Sequence, residues 1–250
     1  MRYHLDTIPV WDALHLGGAC PLCALRSRTE HTLVDRYLGA SVMEPDTRIK
    51  VNDKGFCSRH QRMLYQKQNR LGHALMMQSH LDVAKAKIND AFNKAENAGG
   101  RSFFKRKAES TADGAAAFEQ MDSVCILCES LDDNMRRYVY SFLHLYEHEA
   151  AFREAFQASR GLCLKDIPLV LSMAQEQMKA DMYQRFVKAL REKTLETLDT
   201  NKQDIDWFTL KFDYRNADKP WNNSKDALER TVNFLRGWTL GEDPWPDDKR

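Results

Sequence analysis

The stretch GFCSRH (55–60) sets a cysteine and a histidine three positions apart, directly ahead of a long helical pattern. GLCLKD (161–166) repeats the arrangement with aspartate in the last place. Each follows a CxxC pair, CPLC at 20–23 and CILC at 125–128. Thirty-four positions separate Cys23 from Cys57, thirty-five separate Cys128 from Cys163, and the two frames are offset by 105 residues. A leucine precedes the second cysteine of each pair (Leu22, Leu127), and a Gly-apolar step precedes each third cysteine (Gly55-Phe56, Gly161-Leu162). Every cysteine of the chain belongs to one frame or the other. The pattern reads as an internal duplication, with a unit too long and copies too few for a solenoid.

Zinc accounts for this spacing economically. Two cysteines separated by two residues wrap a turn that aims both thiolates at one ion, and a distant second pair closes the tetrahedron. Read along the chain, the first set is Cys20, Cys23, Cys57 and His60, and the second is Cys125, Cys128, Cys163 and Asp166. Cys57 and His60 stand at i and i+3, neighbours on one helical face, and a helix start favours a thiolate. The expectation is two zinc ions, with the second set carrying one more unit of negative charge than the first; Arg160 and Lys165 flank it and offset part of that. Asp166 also suits a helix first turn ahead of Pro168, an alternative that leaves water, His144 or His148 as the fourth ligand. Three cysteines with His or Asp can also hold an iron–sulfur cluster. A thioredoxin-like redox pair requires a βαβ setting, for which strand signals are missing.

Around the frames the apolar residues keep a helical period. Leu22, Leu25, Leu33, Tyr37 and Leu38 mark one helix, and Leu131, Met135, Tyr138, Phe142 and Leu145 mark its counterpart. Long helical tracts follow each third cysteine, from about Ser58 to Ala95 and from about Pro168 to Leu198. HEAAFREAFQASRG (148–161) reads as an additional helix, whereas its counterpart MEPDTRIKVNDKG (43–55) reads as loop. The fold class is all-α: a helical bundle of two pseudo-repeated halves, each organised round a metal site. The expected divisions are 1–96, a flexible linker at 97–117, 118–203, and a C-terminal strap with a short helix at 204–250. In that tail Trp207, Phe208, Phe212, Tyr214 and Trp221 precede a helix capped by Ser224 and ended by Gly237. Those aromatics either strap over the bundle or form a recognition surface, where Asn222, Asn223, Ser224 and Lys225 stand at the helix N-terminus.

The frame CPLC…GFCxxH, then CxLC…GLC, then KFDYRNADKPWNNSKDALER (211–230), resembles a family of uncharacterised bacterial proteins known as a domain of unknown function, some of them labelled transporter substrate-binding proteins. The resemblance covers most of the chain and implies a bacterial origin without implying a reaction. Asp166 is where the second frame departs from the fuller ligand pattern.

Composition limits the function classes. With 250 residues, 37 Lys plus Arg and 36 Asp plus Glu, the chain can bury a sizeable core and has no bulk pull toward nucleic acid or an anionic membrane. MRYHLDTIPVWDALHLGG (1–18) contains no apolar core with a cleavage site, and no run of about 18 apolar residues occurs, so a cytoplasmic location without membrane insertion is expected. HLYEH (144–148) matches the HxxEH zinc-peptidase pattern, in which His144 and His148 bind zinc, Glu147 activates water, and a distant residue such as Glu229 completes the site. No phosphate-binding glycine loop and no Gly-x-Ser-x-Gly turn is present. The favoured function is a zinc-stabilised, non-catalytic module that binds a protein or small-molecule partner. The alternatives are an iron–sulfur or thiol redox sensor, and a zinc hydrolase.

Overall fold

The computed structural model describes residues 6–18, 20–99 and 109–245. Every regular element among them is helical: α1 (Thr7–His15), α2 (Pro21–Leu38), α3 (Pro45–Lys54), α4 (Ser58–Gln66), α5 (Arg70–Gly99), α6 (Glu109–Ser123), α7 (Ile126–His148), α8 (Ala150–Ala158), α9 (Ile167–Gln177), α10 (Ala180–Leu210) and α11 (Ala227–Arg236). The all-α expectation holds. The order long helix, short helix, Gly-x-Cys, helix, very long helix occurs in α2 to α5 and again in α7 to α10.

The chain divides into two compact units, one of residues up to Thr29 together with Asp133 onward, the other Glu30–Asp132. The divisions therefore fall inside α2 and α7 and not at the 97–117 linker. Of that linker, 97–99 close α5 and 109–117 begin α6; positions 100–108 lie outside the described residues.

In the Glu30–Asp132 unit, α5 packs against α3 and α6. Its core includes Val34, Tyr37, Val51, Phe56, Leu64 and Met76, with Tyr37 and Phe56 edge to face at 5.9 Å. Arg48 on α3 donates to the Val42 and Leu75 carbonyls and to the Ser79 hydroxyl, fixing α3 across the turn before it and onto α5. In the other unit, Phe142 of α7 meets Phe152 and Phe156 of α8 at 5.1 and 5.4 Å, and Tyr146 meets Phe186 of α10 at 4.8 Å. These four phenylalanines are fully buried, each stabilising the fold by about 1.5–3 kcal/mol through removal of apolar surface from water. α10 packs on α9 and α11.

Three segments differ from the sequence reading. Residues 45–54 form helix α3, with Pro45 in the first turn, Asp46 beside it, Lys54 at the C-terminal end and Gly55 as the cap. Those are all helix-boundary signals, but an apolar content of only Ile49 and Val51 hides the period. The tract after Cys57 breaks at 67–69, where Gln68 has φ +64° and Asn69 accepts from the Gly72 N–H while donating to the Leu38 carbonyl. The tract after Cys163 breaks at Met178–Lys179, both extended, and α10 then runs on to Leu210, taking Trp207 and Phe208 into a helix.

The tail is part strap and part surface. Phe208, Phe212 and Trp221 cluster at 5.4–6.3 Å, yet Phe212 is 75% and Tyr214 86% exposed. Ser224 is buried and donates to the Trp221 carbonyl in place of capping α11, whose N-cap is Asp226. No helix among the described residues is long and apolar enough to cross a membrane.

Candidate metal centres

All eight expected ligands gather, but the pairs are exchanged. Cys57 and His60 meet Cys125 and Cys128, while Cys20 and Cys23 meet Cys163 and Asp166; within each group the ligand atoms lie within 4.8 Å of one another. The along-the-chain pairing of Cys20 and Cys23 with Cys57 and His60, and of Cys125 and Cys128 with Cys163 and Asp166, is therefore corrected. Helix length supplies the reason. At 1.5 Å per residue, α2 is about 27 Å long and α3 only about 15 Å, too short to retrace it. α7 and α8 repeat the mismatch, at about 35 and about 14 Å. Each CxxC pair is thus met by the partner pair of the other frame. Each cluster lies wholly within one of the two compact units.

The first cluster sits where α4 and α7 begin. Gly55, at φ +64°, brings Cys57 to the N-cap of α4, and its carbonyl accepts the Ile126 N–H at 3.2 Å, joining the two ligand-bearing turns. A side chain at Gly55 would meet the His80 ring at 2.7 Å. His60 Nδ1 lies 3.3 Å from the Cys57 and Cys125 sulfurs and 3.4 Å from Cys128, and the Cys57 and Cys128 sulfurs are 3.8 Å apart. A zinc ion with bonds of about 2.3 Å to sulfur and about 2.0 Å to nitrogen demands tetrahedron edges of about 3.5–3.8 Å; these four separations lie at or just under that range, and all four atoms fall within 4.8 Å of one another. His60 Nε2 faces Glu30 Oε1 at 3.0 Å, and Arg59 holds the other Glu30 oxygen. This fixes the tautomer that leaves Nδ1 free to ligate. Sequence reasoning passed over Glu30, whose only signal is a carboxylate at a helical position otherwise turned inward.

The second cluster lies at the start of α2 and the turn before α9. Asp166 Oδ2 is 3.2 Å from Cys163, 3.7 Å from Cys23 and 3.8 Å from Cys20, and the Cys23 and Cys163 sulfurs are 3.5 Å apart. Asp166 is 2% exposed, and its other oxygen accepts from Arg26 at 2.8 Å. Its neighbouring backbone bonds are to Cys163 and Val170, so it is also the N-cap of α9; the two readings of Asp166 are compatible. The Trp238 N–H, just past α11, donates to the Cys23 sulfur at 3.2 Å, and the Leu164 N–H donates to the Phe234 carbonyl at 2.8 Å. The C-terminal segment thereby straps this cluster with Phe234 and Trp238.

Crowding sets the protonation of these groups. Hydrogen bonds from Cys163 and Cys20 outweigh burial and bring the Cys23 thiol down to about 4, while burial and its neighbours push Cys20 well up. Burial also opposes ionisation of Cys125, yet the hydrogen bond to His60 brings it down to about 6; burial likewise opposes the His60 charge, but Cys125 and Glu30 prevail and raise it to about 10. Burial and the Cys125 charge push Cys128 up, and burial and Cys163 raise Asp166 despite Arg26. Close-set acids cannot all ionise together; a dication at the centre removes that repulsion and lets every donor lose its proton.

Of the other expected ligands, His144 and His148 stack on α7 with ring centroids 4.4 Å apart, but among the described residues they belong to no group of three metal-binding side chains. None of the six cysteines is in a disulfide. Neither a curated protein nor a solved structure matches the chain. The sequence pattern of a family of unknown function, DUF6062, matches residues 1–242. The chain, with its two exchanged cysteine clusters, therefore belongs to DUF6062.

Proposed function

We propose that the protein is a two-zinc helical module, with one ion in each cluster holding the helix starts together, and that it works by binding a partner and not by catalysis. The observation that carries this reading is the ligand spacing: four donors gathered as at the corners of one tetrahedron, twice, with the donors of each drawn from positions about 70 or 140 residues apart. An iron–sulfur cluster interposes several atoms between its cysteines and spreads them, so single-ion spacing favours zinc over a cluster. Reduced, unpaired thiols favour a reducing compartment such as the cytoplasm. The recurrence of helix order at the 105-residue offset supports the internal duplication. Because sites of this kind do not exist in an unfolded chain, metal binding adds to folding stability, on the order of 10 kcal/mol per structural zinc in small domains. The exposed Phe212 and Tyr214 beyond α10 are the contact surface best suited to a protein partner.

Metal analysis of anaerobically purified protein with its absorption spectrum tests the reading. The expected result is two zinc ions per chain and no visible absorption. Iron with a visible band establishes the redox-sensor alternative instead.

A further inference from the structure

The two clusters differ in what stands behind their fourth ligand. In the first, the Glu30 carboxylate backs His60 and strengthens it as a donor. In the second, the Arg26 guanidinium backs Asp166 and draws its negative charge away from the centre. The carboxylate is thus the weakest of the eight donors, and it has an alternative partner already in contact at 2.8 Å.

A cavity adjoins this same cluster. Its walls include Cys20, Cys23 and Cys163, the cationic Arg160 and Arg230, and Phe234, but not Asp166. It therefore opens on the cysteine side of the cluster and not on the carboxylate. Zinc-type sites can expand to five ligands, so a donor entering from that side would add before Asp166 leaves. The free volume of about 60 Å³, at ~10–15 Å³ per enclosed water, accommodates a group of roughly four to six non-hydrogen atoms.

Resting on the two-ion reading, we infer that the second cluster is a ligand-exchange site at which a small thiol enters through this cavity and replaces Asp166 on the metal. The thiol loses its proton to solvent, a metal–sulfur bond forms, the metal–oxygen bond to Asp166 breaks, and the freed carboxylate stays paired with Arg26. A thiol is the chemistry selected, because an external carboxylate only replaces a tethered one of the same kind, whereas a soft donor adds to three thiolates already preferred by such ions. The first cluster, closed by the backed histidine, keeps its four ligands.

Cobalt(II) substitution reads this directly, since thiolate-to-cobalt and d–d bands report each change of ligand. With both ions bound, 2-mercaptoethanol is expected to shift the spectrum saturably and acetate to leave it unchanged. The double variant Cys57→Ser/Cys125→Ser, which lacks the first cluster, keeps the full response. Asp166→Ala removes the tethered competitor, whose effective concentration is millimolar or above, and tightens mercaptoethanol binding at least ~10-fold. Asp166→His gives this cluster the donor set of the first and abolishes the response while cobalt stays bound. The inference is overturned by a silent spectrum with two cobalt ions in place, by an equal response from Asp166→His, or by cobalt release into the filtrate. Failure to take up cobalt, with no thiolate charge-transfer band, instead overturns the two-ion reading on which the inference rests.

Discussion

Glu30→Gln isolates the contribution of the carboxylate behind His60. Glu30 is 4% exposed, with one oxygen 3.0 Å from His60 Nε2 and the other held by Arg59. Burial works against its charge, but the hydrogen bond from His60 and the nearby Arg59 hold its carboxyl below the ordinary range. Glutamine keeps the shape and an acceptor for His60 while removing the charge that polarises the ring. Loss of such a carboxylate weakens metal binding about 10–100-fold, or about 1.4–2.7 kcal/mol. Glu30→Ala adds the cost of a buried ring nitrogen without its acceptor, about 1–3 kcal/mol. The assay is competition against a chromophoric chelator, following both ions: one of the two should weaken by the stated factor in Glu30→Gln and further in Glu30→Ala. The other should not change, because the two clusters share no ligand and lie in different compact units. Equal affinity in all three proteins, or equal weakening of both ions, refutes the assignment of Glu30.

Two further outcomes follow from the same geometry. In the metal-free protein His60 and Cys128 of one cluster, and Cys20 and Cys163 of the other, all have raised pKa values and hold protons at neutral pH. Protonation favours the metal-free form, so acid weakens binding. Each ion must expel at least two protons, and affinity should drop at least ~100-fold per unit of pH lowered near neutrality; calorimetric titration in buffers of different ionisation enthalpy counts the protons, and fewer than two per ion contradicts this. Gly55→Ala places a side chain at φ +64° and 2.7 Å from the His80 ring, at a cost of about 1–3 kcal/mol. Tm should fall by about 3–10 °C in thermal unfolding, and an unchanged Tm argues against the close approach.

The eight candidate ligands were legible because cysteine spacing is a local property: each pair occupies one turn, and the turn is written in four consecutive residues. Which pair meets which is decided by the lengths of the helices between them. Part of that answer lay in residues 45–54, where Pro45, Asp46, Lys54 and Gly55 mark a helix that its sparse apolar residues do not. The rest lay in the lengths of α2 and α7, each longer than the short helix that follows it. The breaks at 67–69 and at Met178–Lys179 were hidden for a related reason, since neither contains a proline or glycine, and the first is held by the tertiary contact of Asn69 with Leu38. Glu30 and Arg26 were invisible because a backing partner is chosen by distance across the fold.

Exchange of the pairs is tested most directly by metal counts on two double variants, each removing two cysteines. Cys57→Ser/Cys125→Ser strikes a single cluster as folded here and should retain one ion per chain, whereas Cys20→Ser/Cys57→Ser strikes both and should retain none. The opposite pattern, with the first variant empty and the second holding one ion, means that each frame closes on itself and contradicts the account.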